Sequence, residues 1–598
     1  MIYQHQIKPA LIALALIMSG GYLSGQTPLD IDEIKVIAPY EPSISDAFKI
    51  NINPVIQDTM TVDIDFDYSI RPQKIVTRFT PEPLNPARMR GEPLTKLYRG
   101  LVKGGFGNYQ TPYFEGFYNT LRSNEYALGV HLRHLSSNND IKGFDNSTFS
   151  QNRANVYGTR FFRNTALDAD VLFNRHVVHY YGMHSQAGDE EGNGDEQAKM
   201  DNGWPPSGDP FIYMVGQRQR LELLSSTVGF GTHHNDSSKL SYRFGFEHNW
   251  LSDRYESSEH HFRASTMLGR QLSEEPIGGA QKQYFRLDVT ADYYYDDRIF
   301  SADSSAISNT GIYRVQPAIY SYHDKLKFHI GVNLSVEDDN ASYELRAWPL
   351  AGFEASLSPG SLLFFVNLSG GLEKQSYRKL SEANPFVNPG STLQFLNTRH
   401  RISGGFKGAL GANLSYELSL THSKLDNQAF FINLFSPNAP YLVFDNRFGV
   451  AYDDVNLLNL SGVLSGSFGD RFQMRFQADY FHYDMKNMRR AWHMPDFTAS
   501  LNARYNIQDK IILTADLFGR GTTYGLDLAK DGGTMPVVPD GRKLHGFYVD
   551  ANLGIEYRYT KLLSVFLKFH NMQNESYERW THYPTQGFGF LGGVSYAF

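Results

Sequence analysis

The sequence predicts an all-β protein: a transmembrane antiparallel β-barrel of about 22 strands behind a short Pro-rich N-terminal extension. Three observations lead there. Apolar and polar residues alternate over long stretches, the turns are unevenly spaced, and the chain ends on an aromatic strand. In that last stretch, Gly587 to Phe598, one phase reads Phe588, Phe590, Gly592, Val594, Tyr596 and Phe598. The other reads Gly589, Leu591, Gly593, Ser595 and Ala597. A β-strand sends successive side chains to opposite faces. The first phase therefore offers an aromatic face to lipid and the second a face of mostly small residues to a lumen.

Composition agrees with such a wall. Aromatics make up 14% of the 598 residues, with 42 Phe and 37 Tyr against 5 Trp. The mean hydropathy is −0.40. That excludes a bundle of transmembrane helices, each of which needs an apolar run of about 20 residues. A barrel needs an apolar side chain at only every second position. The net charge of −7 is small for this length, and no basic cluster points to nucleic acid. With no Cys in the chain, disulfides, thiol catalysis, cysteine metal sites and an N-terminal lipid-bearing Cys are excluded.

The N-terminus gives a compartment. His5 and Lys8 precede the apolar run Pro9–Met18, and Ser19, Gly20 and Gly21 follow. The run is too short to cross a bilayer and has the length of a secretory signal core, so residues 1–25 read as a signal peptide cleaved after Gly25. Residues 26–97 hold Pro28, Pro39, Pro42, Pro54, Pro72, Pro81, Pro83, Pro86 and Pro93. Each proline removes a ladder donor, so this segment cannot supply central strands. It reads as a periplasmic extension or vestigial plug, with one alternating piece at Thr61–Ile70.

From residue 98 to residue 598 the texture is that of the barrel. Phe547, Val549, Ala551, Leu553, Ile555, Tyr557 and Tyr559 interleave with polar residues, and so do Leu414, Tyr416, Leu418 and Leu420. Alternation over ten or more residues suits the 9–11 tilted residues of a membrane strand. Tight turns are expected at 122–124, 164–165, 235–238, 323–325, 358–361, 409–411, 469–470, 508–509 and 560–561. Longer polar loops are expected at 184–210, 376–396, 426–452, 523–541 and 575–586. Short turns at one end and long loops at the other are the mark of an outer-membrane barrel. The segment 271–281 breaks the pattern, being long where a short turn is due.

The C-terminal hairpin carries a family resemblance. A strand from Leu563 to His570 runs into Asn571 and Asn574; Tyr577, Trp580, Tyr583 and Pro584 follow, and a last strand ends Tyr596-Ala597-Phe598. This resembles the closing hairpin of TonB-dependent outer-membrane receptors. The resemblance implies a 22-strand barrel in the outer membrane of a Gram-negative bacterium, contact with its lipid, and a part in solute transport rather than enzymatic activity. It also implies a TonB-type or other periplasmic partner. Ile31, Glu33, Ile34, Val36 and Ile37, within Ile31–Ala38, resemble a TonB box, an extended segment that pairs with its partner by strand addition. The N-terminus departs from the family, since 26–97 is too short for a usual plug. A structural or assembly subunit of an outer-membrane complex is the alternative reading.

Chemistry is sparse. His233–His234 and His260–His261 are adjacent pairs, and adjacent strand residues point to opposite faces, so neither suits one metal. The acidic run Asp189, Glu190, Glu191, Asp195, Glu196 reads as a solvated loop. No catalytic, cofactor or metal site is expected, and no motif names a solute.

Overall fold

Inside hydrocarbon every backbone N–H and C=O must be paired within the protein, which leaves a strand-rich chain one spanning solution, a closed barrel. The computed structural model describes residues 97–144, 146–182, 218–232, 239–272, 279–301, 304–339, 342–436, 443–526 and 541–598. The expected signal peptide, the Pro-rich extension up to residue 96, the Ile31–Ala38 segment and the expected long loop 184–210 lie outside the described residues. Barrel strands run from Gly100 to Ala597.

Twenty-two strands pair in chain order, each antiparallel to its neighbours. The first strand, Gly100–Gly107, pairs with the second, Thr111–Asn119, and also with the last, Gly589–Ala597. That second pairing closes the ring and removes both sheet edges. The backbones come close at the seam: a Cβ on Gly593 would overlap the Gly104 carbonyl oxygen and the Phe566 ring. Phe590, Val594, Tyr596 and Phe598 are exposed on the outer face, while Leu591 and Ser595 are buried on the inner one. Phe244, Phe246, Leu418, Leu420, Ile555 and Tyr557 continue the same outward band.

Eight of the nine expected turns join consecutive strands, all at one end of the barrel; the ninth, 235–238, lies outside the described residues. At 508–509 both residues take positive φ, 51° and 56°, the primed geometry whose twist matches a tight hairpin. The irregular tenth connection is also real, running from Gln271 to Lys282. The inner wall carries charges of both signs in local pairs. Glu115 faces Lys103 at 3.5 Å and His131 at 3.1 Å, and Asp292 accepts from Arg263 at 2.6 Å.

The long-loop end differs from expectation in two places. Residues 376–396 contain a helix, Tyr377–Ala383. Residues 426–452 are mostly sheet, because Leu414–Ser436 and Val443–Phe468 are 23 and 26 residues long. A straight 26-residue strand would span roughly 85 Å, against a hydrocarbon core of roughly 30 Å. Much of this hairpin therefore stands clear of the membrane. Toward its tip the chain reads Phe430-Phe431-Ile432-Asn433, with no alternation to betray a strand, since Phe430 and Phe431 are both buried, on opposite faces.

The seam makes a direct prediction. Gly593→Val should destabilise the barrel by about 1–3 kcal/mol through overpacking. The check is the temperature at which the compact form converts to the unfolded one in a heat-modifiability gel, which should fall.

Candidate functional site

The site begins where the long hairpin changes direction. Pairing is regular from Leu414↔Gly466 to Leu425↔Val455, slips, and resumes at Gln428↔Asp453. Asn427, at φ 58°, occupies the slip, and a bulge of this kind bends the strand that carries it. Beyond it both faces are covered: Phe430 is 0% exposed and its neighbour Phe431 5%. One face, with Ala429, Phe431 and Phe448, packs on Tyr377, Phe386 and Tyr583. The other, with Phe430, packs on Leu396, Val455 and Trp492. Asp453 fixes the bend by accepting from the Asn487 amide at 2.9 Å, the Asn487 side chain at 2.7 Å and the Met488 amide at 2.7 Å.

The helix-bearing loop comes in from another wall. Ser376 caps the helix, accepting from the Lys379 amide at 3.3 Å. Tyr377 is buried and donates to Asp253 at 2.9 Å. Burial, and then the facing Asp253 carboxylate, push its phenol well above the ordinary value, so it stays a donor. Arg298 donates to the carbonyls of Pro389 and Ser391 at 2.7 and 2.6 Å. The loop then pairs with the hairpin as a strand would: Phe448 donates to Phe386 at 3.0 Å and accepts from Asn388 at 2.8 Å.

The third contributor is the last long loop, and here the residues of the C-terminal resemblance acquire a physical role. Asn571 and Asn574 both take positive φ, 47° and 57°, a conformation Asn tolerates better than most residues. The Asn571 side chain donates to the carbonyls of Glu575 and Gln586 at 2.7 and 2.9 Å, closing the loop base. Asn574 accepts from the Phe588 amide at 2.8 Å. The loop thus held inserts Trp580 and Tyr583 into the aromatic cluster. Tyr583 stacks on Phe386 at 3.9 Å and meets Tyr181 edge-on at 4.9 Å. Trp580 lies 5.1 Å from Phe431 and 5.8 Å from Phe448.

His493 ties the pieces together. It is 3% exposed, between the hairpin and the last loop. Its Nδ1 lies 3.0 Å from the Phe431 carbonyl oxygen, which can only accept. Its Nε2 lies 3.3 Å from the Thr581 amide, which can only donate. The two contacts together require the neutral ring with its proton on Nδ1. Burial first, with Arg520 and Arg542 nearby, lowers its pKa to about 4 against the hydrogen bond to Phe431.

The cluster joins opposite walls. Tyr180 directly follows the strand Thr165–His179, and its carbonyl accepts from Asn446 at 2.9 Å. Asn446 belongs to Val443–Phe468. Around the ring of 22, that strand lies eleven places from Thr165–His179 in either direction. Hairpin, helix loop and last loop therefore form a cap across the mouth of the barrel.

Several solved structures share this architecture. The ferric-catecholate import receptor Fiu of E. coli K12, in its closed form, matches 84% of this chain over 82% of its own, with 10% identity and a TM-score of 0.56. The siderophore receptor PirA of Acinetobacter baumannii matches 85% over 81%, with 10% identity and a TM-score of 0.57. The pyoverdine outer membrane receptor FpvA of Pseudomonas aeruginosa PAO1, bound to pyoverdine, matches 84% over 79%, with 11% identity and a TM-score of 0.58. The fold is that of the TonB-dependent receptors. At such identity the likeness to these receptor barrels is one of fold. No family model matches the sequence, and no curated protein does.

Ile31, Glu33, Ile34, Val36 and Ile37 lie outside the described residues, as do His233–His234 and the acidic run at 189–196. His260 and His261 do face opposite ways: His261 is buried against Asp292 at 2.8 Å, while His260 stacks beside Trp250. Sequence reasoning missed Phe448, Trp492 and His493, which sit in stretches without alternation or motif.

His493 sets a pH dependence. Its pKa in the closed cap, about 4, lies below the ordinary 6.5. An open cap binds a proton first, so closure is fully stable above about 6.5 and weakens as pH falls toward 4. The loss over that window is about 3 kcal/mol. Hydrogen exchange at the Thr581 amide should accelerate across it, and His493→Asn should flatten the profile.

Proposed function

We propose that this chain is an outer-membrane transporter whose lumen carries a solute and whose loop-built cap is the gate. The supporting observation is Phe448: its backbone is paired to the helix loop and its ring sits against the last loop, while its own strand belongs to the wall opposite Thr165–His179. A barrel of 22 strands encloses a lumen wider than its own side chains can fill. An unobstructed lumen would leak, and a cap built from three separate loops meets that need while remaining able to come apart. The likeness in fold to receptors for ferric siderophores supports a place in the outer membrane and a transport role.

On this reading the segment Ile31–Ala38 meets a TonB-type partner in the periplasm. Its alternating aliphatic and acidic residues suit addition to a sheet edge, where backbone hydrogen bonds supply affinity and alternate side chains specificity.

Two measurements test the proposal. In a planar bilayer the purified protein should conduct weakly, and Phe448→Gly with Trp580→Ala should raise its conductance severalfold; an unchanged, closed channel would mean that the cap is not the gate. In cells, deletion of residues 31–38 should abolish solute uptake while leaving the barrel inserted. Full uptake by that deletion would exclude the partner contact.

A further inference from the structure

Beneath the cap, one sector of the inner wall has a composition that barrel closure does not require. Strand register aligns Asp479, Thr498, Arg520 and Tyr548 in one inward row. Gln477, Ser500, Phe518 and Asp550 form the next. Phe476 and Tyr480, the sequence neighbours of Gln477 and Asp479, are exposed on the outer face, which fixes the rows as lumenal. Tyr577 and Arg579 of the last loop overhang these rows and complete a recess of about 560 Å³. A second recess of about 570 Å³ shares Asn552 with it. The shared asparagine sets the two side by side along the wall, as one track.

We propose that this track binds a neutral, hydroxyl-rich ligand, an oligosaccharide, a proposal that rests on the reading of the lumen as a solute route. Three features carry it. Phe518 is 43% exposed although it sits among polar and charged side chains. An apolar ring left in water gains nothing by itself, but its face can stack on the C–H face of a sugar ring. Beside it Tyr548 and Tyr577 stack at 3.9 Å, and Tyr577 is held by donating to Asp550 at 3.1 Å.

The second feature is charge. Around the recess that holds Phe518, Arg520 and Arg579 are matched by Asp479 and Asp550. Two charges of each sign leave no net field there to draw an anion such as a ferric tris-catecholate, while the second recess, with Lys103, Arg475, Arg504 and Lys568 against Asp516 and Glu556, is the more basic of the two. The third is hydrogen-bonding geometry. Gln477 donates to Asp479 at 2.9 Å and Asn502 to Asp516 at 2.7 Å. Planar groups held this way present paired donors and acceptors, which suit the vicinal hydroxyls of a sugar.

Calorimetric titration of the purified full-length protein with maltohexaose, cellohexaose and chitohexaose tests the assignment, with a ferric tris-catecholate run in parallel. At least one hexasaccharide should bind. Phe518→Ala and Asp550→Asn should each weaken it at least tenfold, Phe518→Tyr should retain it, and the outer-face variant Phe476→Ala should leave it unchanged. Binding of no hexasaccharide, or equal binding by Phe518→Ala, would overturn the track. If ferric tris-catecholate alone is bound and taken up, the solute route stands and the track falls. If a hexasaccharide binds through Phe518 but never enters cells, the track stands and the transport reading falls.

Discussion

Backbone hydrogen bonding in a medium without water governs this molecule. An unpaired peptide group in hydrocarbon costs several kcal/mol, so the strands must find partners on both sides all the way round. The last strand can do so only by reaching the first. That requirement accounts for the glycines at the seam, where side chains would hold the two backbones apart. It also explains how a chain with a mean hydropathy of −0.40 can present an apolar belt, because only one phase of each strand must be apolar.

Closing so many strands creates a second problem, a bore too wide for wall side chains to fill. Above the membrane the chain answers with aromatic packing of the kind found in a soluble core. Phe430, Phe448, Tyr377 and Tyr583 are each at most 2% exposed. The polar atoms among them are absorbed by Asp253, Asp453, Asn446 and His493. The strands thus serve two solvents. Their middles alternate for lipid and lumen, and the ends of the longest pair are apolar on both faces.

That division decides what could be read from the sequence. The barrel, its strand number and its turn asymmetry were legible because alternation and turn residues are local signals repeated many times. The cap was not. Residues 426–452 look like a loop when alternation is the only criterion for a strand, and the seven-residue helix is too short to show a period. The motif around Asn571, Asn574 and Tyr583 stood out in the sequence, but its purpose emerges only when Tyr583 is seen against Phe386. The inner-wall rows depend on register across four strands, which no single stretch encodes.

The single residue Phe448 shows how the proposed gate would behave. Its amide and carbonyl are both committed to the helix loop, while its ring touches Trp580, Tyr583 and His493. None of these neighbours can leave by degrees, because each fills the space that holds another. Packed clusters of this kind switch between discrete arrangements instead of deforming smoothly. If the cap is the gate proposed above, the mouth of the barrel would be a bistable door: a force applied at any one of its three loops would be felt by all of them, and the opening would come in one step.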